Sequence, residues 1–348
     1  MRASALPDAP ATLTLAELGD RFNRFADEAR TYAGPLYSAL SREIAQDNDV
    51  LALARHVRRP PVPNVLLASV HFLLAETPTH PLARFYGSLT EHPLPAGGAY
   101  PDFRDFVLAN RTTLIPLLET RITQTNEVGR CSSLLPALTV VHRSGDGRPL
   151  ALIDVGCSAG LHLRWDRYFY DYGTATAGDP ASPVTIRCEL RGPVMPPLPR
   201  RFPDCVFTLG IDLNPVDLSD PVERRWFESL IWPEHAARRR LAEAAIAVLL
   251  RDPPRMVKGD ATRVLEAQLE DVPPDTLLVV YNSAALCQGG VADQNAVGSV
   301  LAVFSGRRPV YWLYCENEEV LLRTLDKGHM MELKLANKDG HGRWLEWL

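Results

Sequence analysis

Six mostly apolar residues running straight into a glycine turn constrain this chain more than any other stretch of it. Leu150-Ala151-Leu152-Ile153-Asp154-Val155 has the length and composition of a fully buried strand. It ends in Gly156-Cys157-Ser158-Ala159-Gly160, and Leu161-His162-Leu163 then reads as a helix start. Glycines at such a turn let the backbone approach a ligand closely, and the following helix offers oriented N–H groups. Strand, glycine turn and helix in that order point to an α/β fold.

The rest of the C-terminal half agrees. Comparable apolar runs lie at Cys205 to Leu213, Arg255 to Lys258, Thr276 to Tyr281 and Pro309 to Cys315, with helical stretches at 221–250 and 292–304 between them. Alternation of this kind predicts a parallel sheet flanked by helices. Met330 to Leu335 and Arg343 to Leu348 would close it with an antiparallel hairpin, and the Gly-, Pro- and Asp-rich stretch 171–203 reads as an insertion. Residues 1 to about 145 differ in texture. Thr14-Leu15-Ala16-Glu17 is a capping-box start, followed by Leu15, Leu18, Phe22, Phe25 and Ala29 at helical spacing. Segments 36–58, 64–75 and 103–123 also fit helices, broken by Pro60-Pro61-Val62-Pro63 and by the turns of 91–101. The expectation is a helical region over 1–145 and a Rossmann-like core over 146–348, mostly parallel with an antiparallel C-terminal strand.

Composition narrows the partners. The net charge is −5 and no dense Lys/Arg stripe occurs, which argues against nucleic acid and anionic membrane. No segment reaches the ~20 apolar residues of a membrane span. The opening Met1-Arg2-Ala3-Ser4-Ala5-Leu6-Pro7 lacks the apolar stretch of a signal peptide, so a cytoplasmic home is expected. Six cysteines form no CxxC pair, and buried free thiols are the expectation rather than zinc ligands.

The turn itself reads in two ways. Hydrophobic-Asp-hydrophobic-Gly-x-Ser-x-Gly is the loop of S-adenosylmethionine-dependent methyltransferases, where it wraps the methionine part of the cofactor. A dinucleotide loop fits less well, because the third glycine of its fingerprint is missing. Gly156-Cys157-Ser158-Ala159-Gly160 is also the G-x-S-x-G elbow of α/β-hydrolases, with Ser158 as nucleophile and Asp260 or Asp275 and His329 or His341 as partners. Against the elbow stand the missing strands before it and the absence of an HGGG-type loop.

Further candidates fall at the ends of the later strands. Asp212, in Gly210-Ile211-Asp212-Leu213-Asn214-Pro215, would accept from ribose hydroxyls, with Leu213 and Asn214 beside it. It lies well beyond the usual ~20 residues from the loop, so 171–203 must absorb the difference. Asp260 and Ala261 would meet the adenine, although an N-cap for helix 262–269 is equally natural. Asn282 and Ser283 end the fourth strand, near the place where open α/β sheets bind ligands, with Cys287 and Gln288 just beyond. Upstream, Asn126 and Arg130 would face the cofactor, Arg130 by pairing with the cofactor's carboxylate. Glu127, His162, Tyr168 and Glu316 are the candidate bases. Arg164 to Tyr170 reads as a charged-aromatic helix, and Trp232-Pro233-Glu234-His235 as caps or part of an acceptor wall.

Taken together, Thr125-Asn126-Glu127-Val128-Gly129-Arg130, Asp154 to Leu161, Asp166-Arg167-Tyr168, Gly178-Asp179-Pro180, Gly210 to Pro215, Trp232-Pro233-Glu234, Gly259-Asp260-Ala261 and His341 to Trp347 resemble one bacterial family catalogued as a domain of unknown function. The resemblance runs from about residue 15 onward. It implies a core similar to class I S-adenosylmethionine methyltransferases, preceded by a helical region. Relatives often carry His-Ser where this chain has Asn282-Ser283, and if that histidine is a base it is lost here. The resemblance therefore implies either methyl transfer to a small molecule, or altered chemistry on the same scaffold such as intramolecular displacement or elimination, in specialised metabolism. A non-catalytic subunit of a homo- or hetero-oligomer is the remaining alternative.

Overall fold

The computed structural model describes residues 13–348. The reading of the first seven residues lies outside the described residues. Two compact units form, one from residues up to Thr125 with Ser219–Arg240, the other from Asn126–Leu218 with Leu241–Leu348.

The first unit is helical. It contains α1 (Leu15–Thr31), α2 (Pro35–Ile44), α3 (Asn48–Ala54), α4 (Val62–Leu74), α5 (Tyr100–Ala109) and α6 (Arg111–Thr120). The capping box forms as the sequence predicts: Glu17 N–H donates to Thr14 Oγ1 at 3.2 Å and Thr14 N–H to Glu17 Oε2 at 2.8 Å. Leu18, Phe22, Phe25 and Ala29 face inward from α1. Nearly every residue of α4 is buried, with α1, α3 and α6 packed against it. The stretch 36–58 is two helices because Asp47 caps α3, accepting from Asp49 N–H and Val50 N–H. A similar break at Asn110 divides 103–123.

The second unit has α7 (Cys131–Ser144) as its first α-helix and carries the twelve strands found among the described residues. These are β1 (Leu150–Val155), β2 (Phe169–Asp171), β3 (Thr176–Ala177), β4 (Thr185–Arg187), β5 (Glu189–Arg191) and β6 (Cys205–Asp212), then β7 (Arg255–Lys258), β8 (Leu277–Ser283), β9 (Val310–Cys315), β10 (Glu319–Asp326), β11 (His329–Lys338) and β12 (Trp344–Trp347). The helices that follow α7 are α8 (Pro221–Ser229), in the helical unit, α9 (Ala236–Arg251), α10 (Ala261–Leu269), α11 (Leu286–Gly289) and α12 (Val291–Phe304). Trp232 and Pro233 separate α8 from α9, which the continuous stretch 221–250 did not anticipate.

Nine strands make one sheet in the order β5-β12-β11-β10-β9-β8-β1-β6-β7. From β9 to β7 the neighbours are parallel, and β10, β11 and β12 continue antiparallel. Among those five parallel strands the order is third, second, first, fourth, fifth, as in doubly wound sheets. Both β1 and β8 are buried along their whole length, which their unbroken apolar runs dictate. Helices α10 and α12 cover one face, over Ile153, Ile211, Val280 and Trp312.

Two corrections concern local structure. The tail contributes three antiparallel strands rather than a hairpin alone, because Glu319 to Asp326 alternates buried and exposed positions as β10. Residues 164–170 are not an amphipathic helix: a short 3-10 helix ends at Arg167 and β2 follows. Tyr168, Tyr170 and Tyr172 recur every second residue, a strand period. All three are buried, and their hydroxyls donate to the carbonyls of Leu161, Trp165 and Ser132, each at 2.7 Å. Among the described residues no helix is long and apolar enough to cross a membrane.

Candidate functional site

Strand order reverses at β1, between β6 on one side and β8 on the other, and Asp154 stands opposite Gly210 and Tyr281 in the two registers. The carboxyl ends of strands at such a switch point are where doubly wound sheets bind ligands. The turn that leaves β1 there is set by backbone torsions. Gly156 has φ +81° and Gly160 φ +76°, and Ser158 is left-handed as well at +52°. A side chain on Gly156 would collide with Ala285, and one on Gly160 would press on Met256 and Pro254. Here the glycines serve close packing of protein as much as access for a ligand. Asp212 staples the turn: its Oδ2 accepts Ser158 N–H at 2.8 Å and its Oδ1 accepts Asn214 N–H at 2.8 Å.

Beneath the turn lies a polar knot. Asn126 Oδ1 accepts Leu161 N–H at 2.7 Å. His162 Nε2 lies 2.8 Å from the Glu127 carbonyl, which only accepts, so Nε2 carries the proton and Nδ1 accepts from the Tyr281 hydroxyl at 3.2 Å. Burial pushes the His162 pKa down to about 4. Asp154 Oδ2 is 3.9 Å from His162 Nδ1 and has no hydrogen-bond partner. Burial first, then the neighbouring Asp212 charge, raises the Asp154 pKa well above the carboxylate range, against a smaller opposing pull from Arg130. In both groups burial outweighs the contacts that favour the charged form, which disfavours charge on either.

The end of β8 is held by a second network. Asn282 Nδ2 donates to Glu316 Oε1 at 2.5 Å, and Asn282 Oδ1 accepts from Trp312 Nε1 at 2.6 Å. Glu316 also accepts the amides of Ala285, Leu286 and Cys287 at the start of α11. Ser283 leaves its hydroxyl unpartnered and gives its carbonyl to Arg130 Nη1 at 3.3 Å. Arg130 Nε donates to Gly340 O at 2.9 Å. The 3-10 turn Val128–Arg130 crosses the 340–342 loop so tightly that a side chain on Gly129 would strike His341 O, and one on Gly342 would strike Gly129 O. Arg130 is thus fixed by two carbonyls, and no carboxylate lies within ion-pair distance of it among the described residues.

The structure therefore gathers Asn126, Arg130, Asp154, Gly156, Cys157, Ser158, Gly160, Asp212 and Ser283 at the switch point. Leu213 and Asn214 are exposed beside it. Asp260 is the N-cap of α10, accepting Thr262 N–H at 3.0 Å, and Ala261 opens that helix. Of the four candidate bases, His162, Tyr168 and Glu316 are at most 2% exposed and already bonded, while Glu127 accepts Gly129 N–H at 3.3 Å and is 9% exposed. Asn282 is fully buried and turned to its two partners. Glu234 belongs to the helical unit, where its Oε1 accepts Leu36 N–H at 2.6 Å. Ser158 Oγ contacts no base, and His329 pairs with Asp326 at the opposite end of the sheet. All six cysteines are free thiols, four of them buried. Sequence reasoning missed Tyr281 and Trp312, which hold His162 and Asn282; both read as ordinary members of apolar strands.

The chain belongs to the bacterial family described as uncharacterized protein conserved in bacteria (DUF2332), which covers residues 19–347. No curated protein and no solved structure matches it.

Proposed function

We propose that the sheet unit binds S-adenosylmethionine and passes its methyl group to a small-molecule acceptor. One observation carries this reading. Asp154 Oδ2, Ser158 Oγ and Ser283 Oγ are buried without partners at the switch point, beside an arginine that has no counter-ion. Buried polar atoms are nearly always satisfied, and such a group at a strand end marks a place built for a polar ligand. The chemistry of the donor set fits this cofactor. With Asp154 protonated, Asp212 and Glu316 still outnumber Arg130, so the switch point favours a ligand with more positive than negative charge. Arg130 would take the carboxylate of the amino-acid end and Asp154 its ammonium. Asp212, at the end of β6, would take the ribose hydroxyls. Exposed Leu213 and the Asp260-Ala261 turn offer the adenine an apolar and a polar contact.

When bound, S-adenosylmethionine supplies an electrophilic methyl on a sulfonium sulfur. The protein then has to align the acceptor and keep water out. With His162, Tyr168 and Glu316 committed to structure, Glu127 is the one candidate base left, and an acceptor that arrives as a ready nucleophile, a thiolate or a neutral amine, needs none. Calorimetric titration with S-adenosylhomocysteine tests the binding half. Saturable binding that Arg130→Met weakens by about ten- to a hundredfold is expected, the loss of a charge-assisted contact. Absence of binding at millimolar ligand would sink the proposal. Binding with no methyl transfer to a panel of thiols and amines would leave the non-methylating or partner-subunit roles.

A further inference from the structure

In the helical unit a buried histidine holds a serine hydroxyl at the wall of a cavity. His71 on α4 is 1% exposed. Its Nδ1 lies 3.1 Å from the carbonyl oxygen of Ser229, and its Nε2 lies 2.7 Å from Ser88 Oγ. A carbonyl only accepts, so Nδ1 carries the ring proton, and Nε2 presents its lone pair to the Ser88 hydroxyl. Tyr86 packs on the imidazole with ring centroids 5.2 Å apart, which fixes its plane. Burial, with Arg239 nearby, pushes the His71 pKa down to about 4, so the ring is neutral and its lone pair available.

Ser88 sits in a turn closed by Leu89 N–H to the Tyr86 carbonyl at 2.8 Å. Among the described residues the amides of Gly87 and Ser88 donate no hydrogen bond. The serine lines a cavity of about 820 Å³ whose walls include Pro35, Leu36, Leu94, Pro95 and Pro233. Nucleophile on base, base on an orienting carbonyl, and two unused amides beside the nucleophile are the parts that acyl transfer needs.

The geometry points to a serine–histidine esterase centre at Ser88 and His71, acting on carboxylic esters with an apolar acyl group. Ser88 Oγ attacks the ester carbonyl carbon while its proton passes to His71 Nε2, and the carbonyl electron pair moves to an oxygen facing the free amides. Collapse breaks the ester C–O bond, and the departing alcohol takes the proton from Nε2. Water then attacks the acyl-serine, giving a proton to His71 that returns to Ser88 Oγ as the acid leaves. This inference does not rest on the cofactor reading of the sheet unit, and either can fail alone.

The test uses the full chain with a fluorophosphonate and with p-nitrophenyl butyrate. A covalent adduct mapped to Ser88 is expected, together with ester turnover that falls about a hundredfold or more in Ser88→Ala. Ser88 is half-exposed, so this variant keeps its fold, checked by circular dichroism. His71→Gln should slow adduct formation at Ser88 by a similar factor. An adduct at Ser158 instead, no adduct at all, or wild-type turnover in Ser88→Ala would each overturn the inference.

Discussion

Each unit buries one neutral histidine, and the two are put to opposite use. His162 in the sheet unit has both ring nitrogens turned to the protein, one to the Glu127 carbonyl and one to Tyr281. His71 in the helical unit gives one nitrogen to Ser229 and the other to a hydroxyl on a cavity wall. Both are almost fully buried, and burial has pushed both pKa values down to about 4. Burial and a lowered pKa therefore do not locate chemistry; the exposure of the partner does. Orphaned atoms teach the same lesson. Tyr37 and Tyr86 in the helical unit also have unpartnered hydroxyls. What sets Asp154, Ser158 and Ser283 apart is their position at a switch point next to an uncompensated arginine.

The largest test of this contrast removes a glycine from each unit. Gly342 has φ +77°, and a side chain there would run into the Gly129 carbonyl. Gly342→Ala should cost about 3 kcal/mol or more in urea unfolding, by strain and displacement of the loop that holds Arg130. Gly97 in the helical unit has nothing within 4 Å of its would-be side chain, so Gly97→Ala should change stability by less than about 1 kcal/mol. Comparable losses would mean that the crossing at Gly129 is not tight.

Next in size is Asn282→Ala. It strips partners from a buried Trp312 N–H and from Glu316, which should cost about 2–3 kcal/mol. Asn110→Ala, which loses one bond to the Phe106 carbonyl at a half-buried helix end, should cost about 1 kcal/mol. An Asn282 variant with unchanged stability but altered ligand affinity would move this residue back into the binding site.

How far the sequence reached also divides along these lines. The five parallel strands and the switch point were legible, since unbroken apolar runs next to glycines admit few other structures. The candidate site was legible in Asp154, Ser158 and Asp212 because each stands at the end of such a run. What escaped is what contact decides. Nothing in the spacing of Glu316 says that it caps α11, since its partners lie about thirty residues away in the chain. Tyr168 and Tyr170 were placed on a helix because their charged neighbours suggested one, although their own alternation carried the strand signal. His71 and Ser88 escaped altogether, seventeen residues apart and each flanked by unremarkable neighbours.

Acid should act on both units through the histidines. Each has a folded pKa near 4 and an unfolded one near 6.5, so between those values only the unfolded chain takes up the proton. Each therefore contributes stability that is present above pH 6.5 and is lost at about 1.4 kcal/mol per unit as pH falls toward 4. Asp154 works the other way. Its raised pKa keeps it protonated when folded, so this carboxyl favours the folded state at low pH and penalises it as pH rises. Asp154→Asn should thus stabilise the free protein near neutrality and steepen its loss in acid, while weakening S-adenosylhomocysteine. Paired pH–urea titrations of the two proteins read this directly, and parallel curves would mean that Asp154 is ionised in the fold.

The smallest expected effect discriminates most sharply between a strut and a site. Ser69 in α4 is fully buried and its hydroxyl donates to the Val65 carbonyl at 2.7 Å, so Ser69→Ala should cost up to about 1 kcal/mol. Ser158 is equally hidden from water but its hydroxyl has no partner. Alanine tolerates the left-handed backbone at 158 no worse than serine, so Ser158→Ala removes only a desolvated hydroxyl. Its stability should stay within about 0.5 kcal/mol of the parent or rise slightly. Affinity for S-adenosylhomocysteine should fall by up to about tenfold, the worth of one hydrogen bond. A stability loss as large as that of Ser69→Ala, with affinity unchanged, would show that the hydroxyl serves the turn rather than a ligand. The unsatisfied atoms at the switch point would then lose the member closest to the proposed methyl donor's loop.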